Sequence, residues 1–149
     1  LLSEYEWVDY CGSKARKISG NLYCLMRGGV YTIDDKKVFA FGGGDALDEY
    51  SQKQNDEELL PSVQEMQDAS ANLSACGDEV DIIVTHDAPE KIRSFVNMEN
   101  NEMNYLHTFL DDIRQTVKFK QWYFGKYHNN KRIPPCYNII FTDIVKYID

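Results

Sequence analysis

The sequence predicts a mixed α/β domain in which helices pack on the outside of a mixed sheet. Three observations support this prediction: a charged turn between two β-rich segments, two stretches with apolar residues at helical spacing, and a short apolar strand after the first of them. The chain has 149 residues, of which 43% are apolar. Residues 1–149 are therefore long enough for one cored domain and give no reason for a second.

The amino-terminal third carries the hairpin signal. Residues 1–20 are polar and mixed, and residues 22–26 form a short apolar run that predicts a strand. Residues 30–33 and 38–41 are rich in β-forming side chains. The charged residues 34–37 between them predict a hairpin turn.

The middle of the chain predicts a helix followed by a strand. Ser62 and Glu65 have the spacing of a capping box, which predicts a helix start, and Gly77 predicts its end. Residues 80–85 are nearly continuously apolar, which is typical of a buried central strand.

The carboxyl-terminal third predicts a second helix and several strands. An apolar stripe places the helix over residues 101–117, and its members are Met103, Leu106, Leu110, Ile113 and Val117. Residues 120–124 predict the next strand. After the break at Pro134, residues 137–141 and 144–147 predict two closing strands.

Composition limits the function classes. The 24 acidic residues outnumber the 16 basic ones, and the net charge of -8 argues against a nucleic-acid partner, which requires a basic face. No apolar run approaches the roughly 20 residues needed to cross a membrane, and no signal peptide is recognisable, so we expect a cytoplasmic protein. The cysteines lack CxxC spacing, and we expect reduced, mostly buried thiols at Cys11, Cys24, Cys76 and Cys136.

Two histidines follow predicted strands. His86 comes directly after strand 80–85, and His128 follows strand 120–124 with Gly125 between. Loops beyond the carboxyl ends of strands form the binding crevice of open α/β sheets, and imidazole is a common metal ligand. Either histidine could instead be an ordinary surface residue. His107 lies within the second helix, and we interpret it as structural.

Four segments occur in a recognisable order: GGVYTIDDKKVFAFGGG, VDIIVTHDAP, WYFGKYH and YNIIFTDIV. Together they resemble the carboxyl-terminal half of the calcineurin-like metallophosphoesterases. That family has a strand that ends in Thr-His-x-x-Pro, then a strand that ends in Gly-His-x-His. The resemblance implies a two-sheet α/β sandwich with helices outside.

By this resemblance, His86 matches a ligand of one metal ion and His128 a ligand of a second. The family holds two divalent ions, such as manganese, iron or zinc, which activate water to hydrolyse phosphate monoesters or diesters. The implied partners are a small phosphate ester or a phosphoprotein.

Lys126 departs from the family pattern because it stands where the first histidine of Gly-His-x-His is expected. Lysine is cationic at neutral pH and cannot ligate a metal. It could contact a substrate phosphate as a point charge, or it could weaken the second metal position. Tyr127, between Lys126 and His128, is interpreted as a packing residue.

The family's earlier metal motifs, Asp-x-His and Gly-Asn-His, do not occur in the sequence. Residues 44–48 spell Gly-Asp-x-x-Asp, but they follow the hairpin, so their order argues against a bridging Asp48. The acidic residues 45–60 predict irregular structure. We therefore expect the carboxyl-terminal portion of a metallophosphoesterase domain, which pairs with its missing half or forms a homo-oligomer. The alternative is a binding or regulatory module of the same fold with an eroded site.

Overall fold

The computed structural model describes residues 2–44, 60–96 and 103–147. Its strands are β1 (Glu6–Tyr10), β2 (Ser13–Ser19), β3 (Leu22–Leu25), β4 (Gly29–Ile33), β5 (Lys36–Phe41), β6 (Ile82–Thr85), β7 (Gln121–Phe124), β8 (Lys131–Ile133) and β9 (Tyr137–Ile139). Its helices are α1 (Val63–Ala75), α2 (Glu90–Arg93) and α3 (Tyr105–Thr116), and a 3-10 turn forms Leu2–Glu4. Asp48 and almost all of the stretch 45–60 lie outside the described residues.

The predicted mixed α/β class is confirmed by the sheets. One sheet has six strands in the order β4-β5-β6-β7-β9-β8, and the other has three antiparallel strands in the order β1-β2-β3. In the larger sheet, β5, β6, β7 and β9 are parallel, whereas β4 and β8 are antiparallel to their neighbours at the two edges. The predicted strand 80–85 is central, as expected, because β6 lies between β5 and β7.

The predicted hairpin is β4 and β5. Asp34 and Asp35 join the strands with φ angles of 46° and 60°. Two consecutive residues with positive φ are typical of the two-residue turn whose twist matches that of the flanking strands.

Side chains alternate between two unlike faces of the six-stranded sheet. One face is buried under α1, α2 and α3, and it carries Phe39, Phe41, Ile83, Thr85, Trp122, Phe124, Tyr137 and Ile139. The opposite face is only partly covered. We call it the open face, and we define it by Val38, Ala40, Ile82, Val84, Gln121, Tyr123, Arg132 and Asn138. The helices therefore pack on one side of this sheet.

Helix α1 begins where its sequence predicts. Ser62 and Glu65 form both hydrogen bonds of the capping box. The helix then crosses the chain at Gly28, whose φ is +78° and whose added Cβ would lie 2.7 Å from the Cβ of Ala69. Asn72 secures this crossing by donating to the carbonyl of Gly28 at 2.9 Å.

The three-stranded sheet covers the outer edge of β4. The amide of Thr32 donates to the carbonyl of Cys11 at 2.7 Å, and the hydroxyl of Ser13 donates to the carbonyl of Val30 at 2.7 Å. Strands β1 and β2 were not predicted. Most of their side chains are exposed or half-buried, so their sequences show no clear apolar alternation.

The predicted strand 144–147 is wrong. The amide of Ile140 still donates to the carbonyl of Phe124 on β7 at 3.0 Å, and the chain then leaves the sheet. It crosses the open face, and the centre of the Tyr147 ring lies 5.4 Å from the Lys36 Nζ at the start of β5. Just before this stretch the Oδ1 of Asn130 accepts the amide hydrogens of Phe141 (2.8 Å), Thr142 (3.2 Å) and Asp143 (3.4 Å) and turns the chain away. Those amides are therefore not available to a sheet ladder.

The cysteines are less buried than predicted. All four thiols are free, Cys11 is exposed, and the other three are partly buried. Cys11 is exposed because it lies in the turn between β1 and β2, where its φ is 50°.

Within the three described ranges, none of the helices combines the length and apolar character needed to cross a bilayer.

Candidate functional site

The parallel strands bring three loops together at one end of the six-stranded sheet. Phe41 at the end of β5 is in register with Thr85 at the end of β6, which is in register with Phe124 at the end of β7. The loops that follow these three residues therefore emerge side by side. We call this end of the sheet the carboxyl edge.

Main-chain hydrogen bonds join the loops that carry the two predicted ligands. The carbonyl oxygen of His86 accepts the amide hydrogens of Gly125 at 3.2 Å and Lys126 at 3.1 Å. The amide of His128 then donates to the carbonyl of Gly125 at 3.3 Å and closes a turn, in which His128 has a φ of 46°. The structure thus brings the backbones of the two loops into contact.

Both imidazoles lie at the surface. His86 is exposed, and its ring lies against the backbone of Gly44. A Cβ at Gly44 would be 2.8 Å from the Cδ2 of His86, so the glycine leaves room for this ring position. His128 is also exposed, and its ring stacks on Phe141 with a centroid separation of 4.9 Å.

Asp87 is the centre of a buried polar cluster beneath this edge. Its Oδ2 accepts from the Lys126 ammonium at 2.8 Å and lies 2.9 Å from the Nε2 of His107. Its Oδ1 accepts from the Tyr127 hydroxyl at 2.5 Å and from the amide of Ala88 at 2.8 Å. One carboxylate thus holds α3 and the loops after β6 and β7 together.

The protonation states of this cluster follow from its contacts. Burial alone would raise the pKa of Asp87, but the hydrogen bonds from His107, Lys126 and Tyr127 outweigh it and hold that pKa well below its usual range. Burial and the neighbouring Asp87 carboxylate raise the pKa of Tyr127, so its hydroxyl remains a donor.

His107 has a defined tautomer. Its Nδ1 accepts the amide hydrogen of Asn104 at 3.1 Å, which assigns the ring hydrogen to Nε2, the atom that faces Asp87. Arg93 Nη1 lies close to both ring nitrogens, 2.8 Å from Nδ1 and 2.9 Å from Nε2, so the contact with Asn104 alone carries this assignment. His107 is completely buried, and its hydrogen bonds join the start of α3 to Asp87, which agrees with the structural role predicted for it.

Neither the role of Asp87 nor the hydrogen bond of Tyr127, predicted to be a packing residue, is evident from the sequence. The signal was weak: an aspartate directly after His86, at the end of a buried strand. Lys126 is 3% exposed, and its ammonium is bound to Asp87 rather than directed into open solvent.

The described residues do not form a complete metal site on their own. Within residues 2–44, 60–96 and 103–147, no three His, Cys, Asp or Glu side chains are grouped so that they could hold a metal ion. His86 and His128 offer two imidazoles on adjacent loops, the first against Gly44 and the second stacked on Phe141. Both oxygens of Asp87 already accept from neighbouring donors. Any metal held by the two histidines therefore needs further donors.

The fold and the site define a mixed α/β protein with exposed histidines and a buried ionic cluster at the carboxyl edge of a mostly parallel sheet. Comparisons of the chain with protein-family models, with curated proteins and with solved structures found no match.

Proposed function

We propose that this chain is part of a metal-dependent phosphoesterase and that His86 and His128 are two of its metal ligands. The observation that carries the proposal is the contact between the loops after β6 and β7, made by two hydrogen bonds to the carbonyl of His86. This contact places both histidines at the carboxyl edge, where open α/β sheets bind ligands. The resemblance to the calcineurin-like metallophosphoesterases supports the same two residues.

The proposed site is completed by donors from outside the described residues. Structural and catalytic metal sites use three or more protein ligands. We therefore expect two imidazoles alone to bind a divalent ion weakly. In the proposed enzyme, two ions such as manganese, iron or zinc would activate water for attack on a phosphate ester. The substrate would be a small phosphate ester or a phosphoprotein, and the missing amino-terminal half of the domain or a second copy would supply the remaining ligands.

The open face of the sheet is compatible with this proposal. A two-sheet sandwich needs a sheet that has helices on one side and a partly uncovered surface on the other, and the six-stranded sheet has both. Exposed apolar side chains on this side of the molecule include Val84, Phe141, Ile144 and Val145. We propose that a second sheet packs on the apolar part of this face, over β5 and β6, in the intact enzyme.

Metal titration followed by NMR tests the proposal. Manganese is paramagnetic, so we expect Mn²⁺ to broaden the amide signals of residues 86–88 and 125–129 before others. His86→Ala and His128→Ala should each weaken Zn²⁺ binding at least tenfold in calorimetry. Asn129→Ala is the matched control, because it changes an exposed neighbour in the same turn without removing an imidazole. Unchanged affinity in both histidine variants would overturn the metal assignment.

A second candidate function is a binding or regulatory module of the same fold without catalysis. The specific observation that favours it is the buried ion pair between Lys126 and Asp87, which occupies the position where the family has a metal-ligating histidine. Lys126→His distinguishes the two functions. A large gain in metal affinity and in hydrolysis of p-nitrophenyl phosphate supports an eroded site, whereas a loss of existing phosphatase activity assigns Lys126 to the substrate.

A further inference from the structure

The open face carries a cleft of about 420 Å³ at the end of the sheet formed by β7, β9 and β8. The sheet forms its floor, and the segment 140–147 forms one wall. Its volume falls within the range of small-molecule sites, which is roughly 300–1,000 Å³. His86, Lys126 and His128 do not line this cleft, so an inference about it does not depend on the proposed metal site.

The floor is a row of polar side chains. Tyr123 on β7 is in register with Asn138 on β9, which is in register with Arg132 on β8. Paired residues on adjacent strands project from the same face, so these three side chains are lateral neighbours. Asn138 also donates to the Oε1 of Gln121 at 3.0 Å, which orients both amides.

The polar floor contrasts with the rest of the same face. On the neighbouring strands β5 and β6, the same face carries the apolar side chains of Val38, Ala40, Ile82 and Val84, and Lys36 lies at the start of β5. The polar side chains of the cleft floor therefore lie beside a largely apolar part of the same face.

The wall of the cleft is held by side-chain hydrogen bonds. Asn130 accepts three consecutive amide hydrogens from residues 141–143 and donates to the hydroxyl of Thr142 at 2.7 Å. This arrangement fixes the start of the segment that contributes Asp143, Val145 and Lys146 to the lining. The cleft is thus formed by a clamped segment over the sheet.

The cleft has a positive balance in an acidic chain. The side chains of Arg132 and Lys146 oppose that of Asp143, although the whole chain has a net charge of -8. Burial raises the pKa of Tyr123, and the positive charge of Arg132 partly offsets this rise. The guanidinium is therefore close enough to the floor of the cleft to stabilise a negative charge there. Lys131 is not counted, because its ammonium donates to the carbonyl of Phe95 at 2.8 Å on the helix side.

We propose that this cleft binds a small organic oxyanion, a carboxylate or phosphate group attached to a planar body. Arg132 is the anion contact, because its planar guanidinium can donate two parallel hydrogen bonds to such a group. The amides of Gln121 and Asn130 supply further donors, whereas the amide of Asn138 already donates to Gln121 and to the carbonyl of Cys136. The half-buried ring of Tyr123 offers a surface for the planar body.

Titration with two probe anions tests this proposal. We expect phenyl phosphate, phenylacetate or both to shift the side-chain amide signals of Gln121, Asn130 and Asn138 in ¹H–¹⁵N spectra, whereas neutral benzyl alcohol should not. Binding should weaken when NaCl is raised, because salt screens exposed charges. A response to both anions assigns a general oxyanion site, and a response to phenyl phosphate alone assigns a phosphate site.

Variants localise the interaction. Arg132→Gln should weaken the affinity for the responding probe at least tenfold. Lys118→Gln removes an exposed positive charge outside the cleft lining and should leave this affinity unchanged. The proposal is overturned if neither anion shifts these amides, if both variants bind equally well, or if the shifts are confined to residues near His86 and His128. No metal is added in this titration, so a negative result does not bear on the metal assignment. The Mn²⁺ and Zn²⁺ titrations decide that assignment separately.

Discussion

The ammonium of Lys126 lies 2.8 Å from the Oδ2 of Asp87, and both side chains are almost completely buried. The lysine that replaces an expected histidine therefore has a carboxylate partner within the same chain. Removing one member of a buried ion pair leaves the other charged and desolvated, and it typically costs more than removing an exposed pair.

Asp87→Asn should lower the free energy of unfolding by about 3–5 kcal/mol, because it leaves the Lys126 ammonium buried without its counter-charge. Urea unfolding followed by circular dichroism measures the change. Asp9→Asn is the control, because the pair between Asp9 and Lys14 has side chains that are 82% and 65% exposed. We expect no measurable change for the control, and an equally small change for Asp87→Asn would contradict the central role of this carboxylate.

Asp87 should also make the protein sensitive to acid. Its pKa in the folded state lies well below the value of about 3.9 for an unfolded chain, so between those two values the unfolded state binds more protons. The stability that Asp87 provides is therefore present above about pH 4 and is lost as the pH falls below it. Unfolding free energies measured from pH 7 to pH 2 should decrease more steeply for the native sequence than for Asp87→Asn, and parallel curves would refute this.

Gly44→Ala should displace the ring of His86 without unfolding the protein. The added Cβ would meet the Cδ2 of His86 at 2.8 Å, so the imidazole must move. We expect a changed ¹⁵N shift for the His86 ring and weaker Zn²⁺ binding. Gly42→Ala is a matched control in the same loop, because its Cβ would meet nothing within 4 Å. Identical His86 spectra in the two variants would show that Gly44 does not set the ring position.

Gly28→Ala should destabilise the packing of α1 on the chain near β4. It combines an unfavourable φ of +78° with a contact of 2.7 Å to the Cβ of Ala69. Gly77→Ala shares the backbone cost, since its φ is +84°, but its Cβ would meet nothing within 4 Å. We expect Gly28→Ala to cost about 1–3 kcal/mol more than Gly77→Ala in thermal or urea unfolding. Equal costs would mean that α1 shifts freely to accept the methyl group.

Local chemistry made part of this fold predictable. The capping box of Ser62 and Glu65 and the turn at Asp34 and Asp35 depend on residues within a few positions of each other, and the structure confirms both elements. Edge strand β8 was missed because it has only three residues and becomes a strand through pairing with β9. Short strands of this kind are decided by tertiary contacts rather than by intrinsic preference.

The candidate site was predictable only at the ends of its strands. His86 and His128 were recognised because each follows an apolar run that forms a strand. The cluster around Asp87 joins side chains 20 and 39 positions away, from His107 and Lys126. No spacing rule connects such residues, because their proximity arises from the parallel pairing of β6 with β7 and from the packing of α3.

The two edges of the six-stranded sheet also affect whether another chain can pair with this sheet through backbone hydrogen bonds. The small sheet already hydrogen-bonds to β4, and the opposite edge is a three-residue strand that carries two exposed cations, Lys131 and Arg132. Short, charged or covered edges discourage the strand-by-strand growth that leads to amyloid-like aggregation. At these two edges, association should therefore proceed through side chains rather than through an extended β-ladder.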